Sequence, residues 1–92
     1  MNKRIAVVSA ILEDPINCQR EFNTLVAEYH KIVRGRMGIP FKDEGMSVVS
    51  ITVVGTMDEI NEFTGKLGKI NHITVKTAIS KKEISWRWNK NL

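Results

Sequence analysis

Residues 63–77, FTGKLGKINHITVKT, contain two glycine–lysine pairs, Gly65–Lys66 and Gly68–Lys69. Glycines beside a lysine are the raw material of a phosphate cradle, in which backbone N–H groups and an ammonium surround the oxygens. A nucleotide loop of that kind places its glycines before a helix and a Ser or Thr directly after the lysine, to reach magnesium. Here Leu67 follows Lys66, and no strand leads into the segment. The pairs instead mark the end of a helix, with close packing expected at Gly65 and a left-handed C-terminal cap at Gly68.

Other side chains could ligate or bind. His30, His72 and Cys18 are the imidazoles and the thiol of the chain. Two histidines at distant positions do not complete a transition-metal shell, so no metal site and no cofactor is expected; His30 and His72 would have to combine across a symmetric interface. A single cysteine rules out an internal disulfide and a four-cysteine zinc site. Arg34 and Arg36 alternate along an apolar stretch, which would put both on one face of a strand, as edge protection or as a cationic rim for an acidic effector. Gly38, with Gly35, would let a ligand approach the backbone there. Glu13 and Asp14 stand where a first helix begins, at the end whose dipole favours anions, although two carboxylates would repel a second anion. These five positions, Glu13, Asp14, Arg34, Arg36 and Gly38, are the effector-binding candidates. The tail SKKEISWRWNKNL alternates Ile84, Trp86 and Trp88 on one side among Lys82, Arg87 and Lys90. It reads as an arm that covers a sheet face or a neighbouring subunit, ahead of a nucleic-acid stacking platform or a membrane-surface patch.

Positioning these residues requires a particular set of elements. Ile5–Leu12 is almost wholly apolar and reads as a central strand covered on both faces. Asp14 can cap a helix and Pro15 fits its first position; Ile16, Phe22, Leu25, Val26 and Tyr29 then form an apolar stripe ending near His30. Ile32–Ile39 is a second strand, weakened by Gly35 and Gly38, which suggest an edge, a bulge or close backbone contact, and ended by Pro40. PFKDEG is a hairpin connection. Met46–Val54 is the third strand, with Val49, Ile51 and Val53 alternating with Val48, Ser50, Thr52 and Val54. Thr56 and Glu59 have capping-box spacing, and Ile60, Phe63, Thr64 and Leu67 line the inner face of the second helix. Asn71 suits a positive φ in the turn that follows. His72–Ile79 alternates as the fourth strand. The order βαββαβ predicts an α+β, ferredoxin-like sandwich: four antiparallel strands, two helices on one face, and the other face open.

That fold hosts many functions. An RNA-recognition module stacks bases on aromatic residues of its central strands, and RIAVVSAI and MSVVSITVV contain none. A metal-chaperone version needs paired cysteines after the first strand, and LEDPINC has only Cys18. The stretches RIAVVSAILEDP and RMGIPFKDEGMSVVSITVVGTMDEINEFTGKLGKINHITVKTAIS resemble the iron-only hydrogenase system regulator family, within the ACT-like group. The likeness spans about residues 4–80; Arg36–Pro40, Gly65–Gly68 and Thr74–Thr77 are its most specific parts. It implies a regulatory, transcription-regulator-like module whose open face or strand edges pair copies, with effectors bound between them. A more distant likeness is to the C-terminal effector domain of the nickel-responsive repressor, which assembles as tetramers. That domain's set of metal-binding histidines is not matched here, and no ribbon-helix-helix segment is expected ahead of Ile5.

Composition bounds the rest. The 92 residues make one domain at 1–80 with a basic, Trp-containing arm at 81–92, and 42% apolar content suits a small globular core. Net charge is +4 overall, of which residues 81–92 carry +3 and residues 1–80 only +1. A nearly neutral body is a poor match for a nucleic-acid backbone. The opening MNKRIAVVSAIL is too short in its apolar run for an export signal, and nothing approaches a membrane span. No nucleophile–base pair or carboxylate pair is spaced for catalysis, so an enzyme is not expected. The expectation is a cytoplasmic homo-oligomer, dimer or tetramer, that senses a small effector or binds a hydrogenase-maturation protein. The alternatives are a nucleic-acid-binding regulator using its Trp tail, or a small metal-binding protein.

Overall fold

The structure, a computed structural model, describes residues 2–84. The elements run β1 (Arg4–Leu12), α1 (Pro15–Glu28), β2 (Val33–Phe41), a 3-10 turn (Lys42–Glu44), β3 (Met46–Gly55), α2 (Met57–Gly68) and β4 (Ile73–Ile79). The strands form one antiparallel sheet in the order β2-β3-β1-β4, with β1 in the interior and β2 and β4 at the edges. This is the ferredoxin-like βαββαβ arrangement.

One sheet face carries both helices. Ala6, Val8, Ala10 and Leu12 of β1 and Val49, Ile51 and Val53 of β3 point into that layer, where Phe22 and Val26 of α1 and Ile60, Phe63 and Leu67 of α2 cover them. Alternating residues of a strand address one face, and steps of three and four address one side of a helix. Tyr29 and Phe63 join the two helices with ring centroids 5.0 Å apart. In α1 the buried stripe is Cys18, Phe22 and Val26, a run of four-residue steps; Ile16, expected on that side, is 95% exposed. At 3.6 residues per turn, residue 16 lies about 120° around the helix from the centre of the 18–22–26 row, so Cys18 takes its place.

Helix α2 starts as its sequence dictates. Thr56 Oγ1 accepts the Glu59 N–H at 3.2 Å, and Glu59 Oε1 accepts the Thr56 N–H at 2.8 Å. Helix α1 does not match it: Asp14 occupies the cap position, but its carboxylate accepts the Asn17 side-chain amide at 2.7 Å rather than a backbone N–H. The Asp14 carbonyl instead takes the N–H groups of Asn17 and Cys18.

Several boundaries differ from expectation. Pro40 does not end β2; the strand continues to Phe41, with Pro40 paired to Ser47. A proline is tolerated there because β2 is an edge strand and needs no outward ladder bond. Gly68 is the last helical residue rather than a left-handed cap, and the residue with positive φ is His72, at 69°, not Asn71. Gly65 is not closely packed: a Cβ there would meet nothing within 4 Å. Gly45, at φ 68°, is the glycine whose backbone freedom is used, closing the turn between β2 and β3.

Residues 80–84 fold back beside the chain's start. Lys3 and Ile84 exchange backbone hydrogen bonds of 3.1 and 2.7 Å, Arg4 reaches the Ser80 and Lys81 carbonyls, and its guanidinium pairs with Glu83 at 3.1 Å.

Candidate functional site

The bare sheet face is built by the alternate residues of each strand. From β1 come Ile5, Val7, Ser9 and Ile11; from β3, Val48, Ser50, Thr52 and Val54; from β4, Thr74, Lys76 and Ala78; from β2, Gly35, Met37 and Ile39, with Phe41 and Met46 extending the face at the hairpin end. The expectation that both faces of β1 are covered does not hold among the described residues. Ile5, Val7 and Ile11 are 42%, 40% and 41% exposed. Of the large apolar side chains left exposed among the described residues, only Ile16 and Met57 lie away from this face. Lys76 is the one charged residue among its strand positions.

The sequence-derived candidates fall elsewhere and do not converge. Arg36 pairs opposite Ile51, on the helix side; its guanidinium donates to Asn23 Oδ1 at 2.6 Å and lies 5.4 Å from the Phe22 ring centroid. Arg34 occupies a bulge between Val33 and Gly35, which breaks the strict alternation that would have put it beside Arg36, and it donates to the Lys31 carbonyl at 3.1 Å. Gly38 pairs with Val49 in mid-strand. Glu13 and Asp14 lie at the other end of the sheet from Arg34: Glu13 accepts the Thr74 hydroxyl at 3.1 Å and its N–H reaches the His72 carbonyl at 2.7 Å. Asp14, with Ile16, Pro40, Lys42 and Met46, borders a crevice of about 400 Å³ between α1 and the hairpin. Lys42 was not singled out by sequence, because only the folded hairpin brings it across from Asp14.

His30 follows α1 and His72 precedes β4, at opposite ends of β1, so one chain does not bring them together. Among the described residues no group of three or more His, Cys, Asp or Glu is gathered as a metal site. Cys18 is buried, and that burial pushes its thiol pKa up, away from the reactive thiolate. The glycine–lysine segment forms no cradle. Lys66 belongs to α2, pairs with Glu62 at 3.4 Å and sits 5.3 Å from the Tyr29 ring centroid. The end of α2 presents carbonyls, which repel a phosphate. Ile84 is half-buried in its bridge to Lys3; Trp86 and Trp88 lie outside the described residues. No described helix is long and apolar enough to cross a membrane.

Comparison with known proteins places the arrangement. The solved structure of uncharacterized protein TM1266 from Thermotoga maritima aligns with a TM-score of 0.82 and 29% identity, over 86% of this chain and 99% of that one. Comparison with curated proteins finds no match. The model of the TM1266-like family, described as "Iron-only hydrogenase system regulator, putative", matches residues 4–77. The match spans most of the chain, strands and helices alike, and the chain belongs to the iron-only hydrogenase system regulator family.

Proposed function

We propose that this chain is a non-enzymatic, cytoplasmic regulatory module that pairs with copies of itself through the bare sheet face. In this reading it senses a small effector at the junction or passes the change to a hydrogenase-maturation protein. The observation that carries it is the apolar second face of β1. A strand that is apolar on both sides belongs to a sheet covered on both sides, and the described residues supply only one cover.

A second copy fits that face better than an unlike partner does. The face has a single charged strand position, Lys76, so it offers little charge pattern for a foreign surface to match. An identical face is equally apolar and always available, and a two-fold makes it self-complementary. At usual strand spacing and rise, four strands of this length present about 15 Å by about 30 Å, a footprint near 450 Å² before side-chain relief is counted. Two such faces come to about 900 Å², and side-chain relief brings this to the ~1,000 Å² expected of a specific contact. Regulation then follows from mass action: a ligand bound preferentially by the paired form shifts the population toward it. Analytical ultracentrifugation over a dilution series tests the reading. Concentration-dependent association supports it, and a monomer at every concentration rejects it.

A further inference from the structure

The bare face is not uniformly apolar. Register places Ser9 of β1 between Ser50 of β3 and Lys76 of β4, with Met37 of β2 completing the row. The rows on either side are mainly apolar: Ile39, Val48 and Ile11 with Thr74, and Val7 and Ala78 with Gly35 and Thr52. Directly opposite residues on neighbouring strands have Cβ atoms about 5 Å apart, and the lysine stem spans more than that. The ammonium can therefore swing over Ser9 toward Ser50. Among the described residues, no hydrogen bond or ion pair involves the side chains of Ser9, Ser50 or Lys76. At the end of the face, Glu13 accepts the Thr74 hydroxyl through one carboxylate oxygen at 3.1 Å.

Alone in water these groups cost nothing. Covered by a second copy they become a liability, because an unmatched buried hydroxyl and, above all, an unmatched buried ammonium are costly. Packed sheets lie about 10 Å apart, so both copies' lysines bear on one thin layer. A small oxyanion in that layer would accept from the serine hydroxyls and neutralise the ammoniums, in surroundings where charge pairs are weakly screened.

We propose that the Ser50–Ser9–Lys76 row is the effector site of the paired form, and that its ligand is a small oxyanion bearing a carboxylate or a phosphate group. The site rests on the pairing reading above and names the chemistry of its effector. It is distinct from the arginines of β2, which are held by α1 and by Lys31.

The test measures association by sedimentation equilibrium in chloride buffer, then with inorganic phosphate or with succinate at matched ionic strength, for the wild-type chain and for Lys76→Met. The expected result is that one probe tightens wild-type association by at least about fivefold, the low end of effector couplings. The probe that acts distinguishes phosphate from carboxylate. Lys76→Met, which replaces the cation by an apolar chain of similar length, associates at least as well in chloride and loses the response. Ser9→Ala, which removes a hydroxyl that pairing would bury unmatched, weakens the response and associates at least as well as wild type in chloride. Wild-type association indifferent to both probes overturns the site while leaving the pairing intact, and so does a response that survives in Lys76→Met. A wild-type chain that is monomeric in every buffer overturns the pairing reading and the site with it. Circular dichroism melts of each variant confirm that the fold is retained.

Discussion

At Gly65 the chain keeps a glycine in mid-helix with open space where a Cβ would stand. Neither close approach nor positive φ requires it, so Gly65→Ala should raise the unfolding free energy by about 0.5–1 kcal/mol, read from urea titration. A loss of stability would mean that the residue serves a contact outside the chain. The two helix starts give a matched pair. Thr56→Ala removes one half of a reciprocal cap and should cost about 1 kcal/mol, whereas Asp14→Asn, whose side chain engages only Asn17, should shift stability less. The Thr56–Glu59 cap was readable from spacing because both partners lie within four residues. The failure of Asp14 to cap was not, because Asn17 competes for the same carboxylate. The displaced left-handed residue has a similar origin. His72 adopts it because its carbonyl must meet the Glu13 N–H across the sheet end, a long-range demand with no local signature.

At the scale of elements, strand alternation and helical periodicity sufficed for order and type. They failed wherever an extra residue intervened. The bulge at Arg34 breaks the alternation on which the shared arginine face depended; Gly35 had pointed to an edge or a bulge, but not to Arg34 as the extra residue. The helices pack through few large groups, so Phe63→Ala should cost about 3–5 kcal/mol, enough to leave a small domain largely unfolded; a melt within a few degrees of wild type would contradict the core described here. Between the helices, the Tyr29 hydroxyl donates to Glu62 at 2.6 Å, and Lys66 adds a contact at 3.4 Å. Tyr29 first and Lys66 second hold the Glu62 carboxyl below the ordinary carboxylate range. A depressed carboxylate stabilises above its unfolded pKa and loses that contribution as pH falls through its folded pKa. Denaturation midpoints followed from neutral into acid should therefore fall less steeply for Glu62→Gln than for wild type. Parallel profiles would show the contact to be energetically silent.

For the whole molecule, the layer architecture was legible because four alternating strands and two amphipathic helices have few ways to bury themselves. The candidate site was only partly legible. Charged residues drew attention in the sequence, yet arginines find local partners easily, and Arg34 and Arg36 are both engaged within the chain. An open face was expected from the element order, but its composition emerged only once register aligned Ile5, Val7, Ile11, Met37 and Ile39 on one side, and the Ser9–Ser50–Lys76 row needs three strands to exist at all. The family match then supplies the regulatory context that geometry does not. If the apolar face pairs copies, a charge placed at its middle must oppose pairing without harming the helix-side core. Val7 lies on that face, opposite Thr52 and Ala78. The most direct measurement is sedimentation equilibrium of the wild-type chain beside Val7→Lys, over a dilution series. The account predicts associated wild type and a folded, monomeric variant. Equal association of the two, or a wild type that never associates, would contradict it.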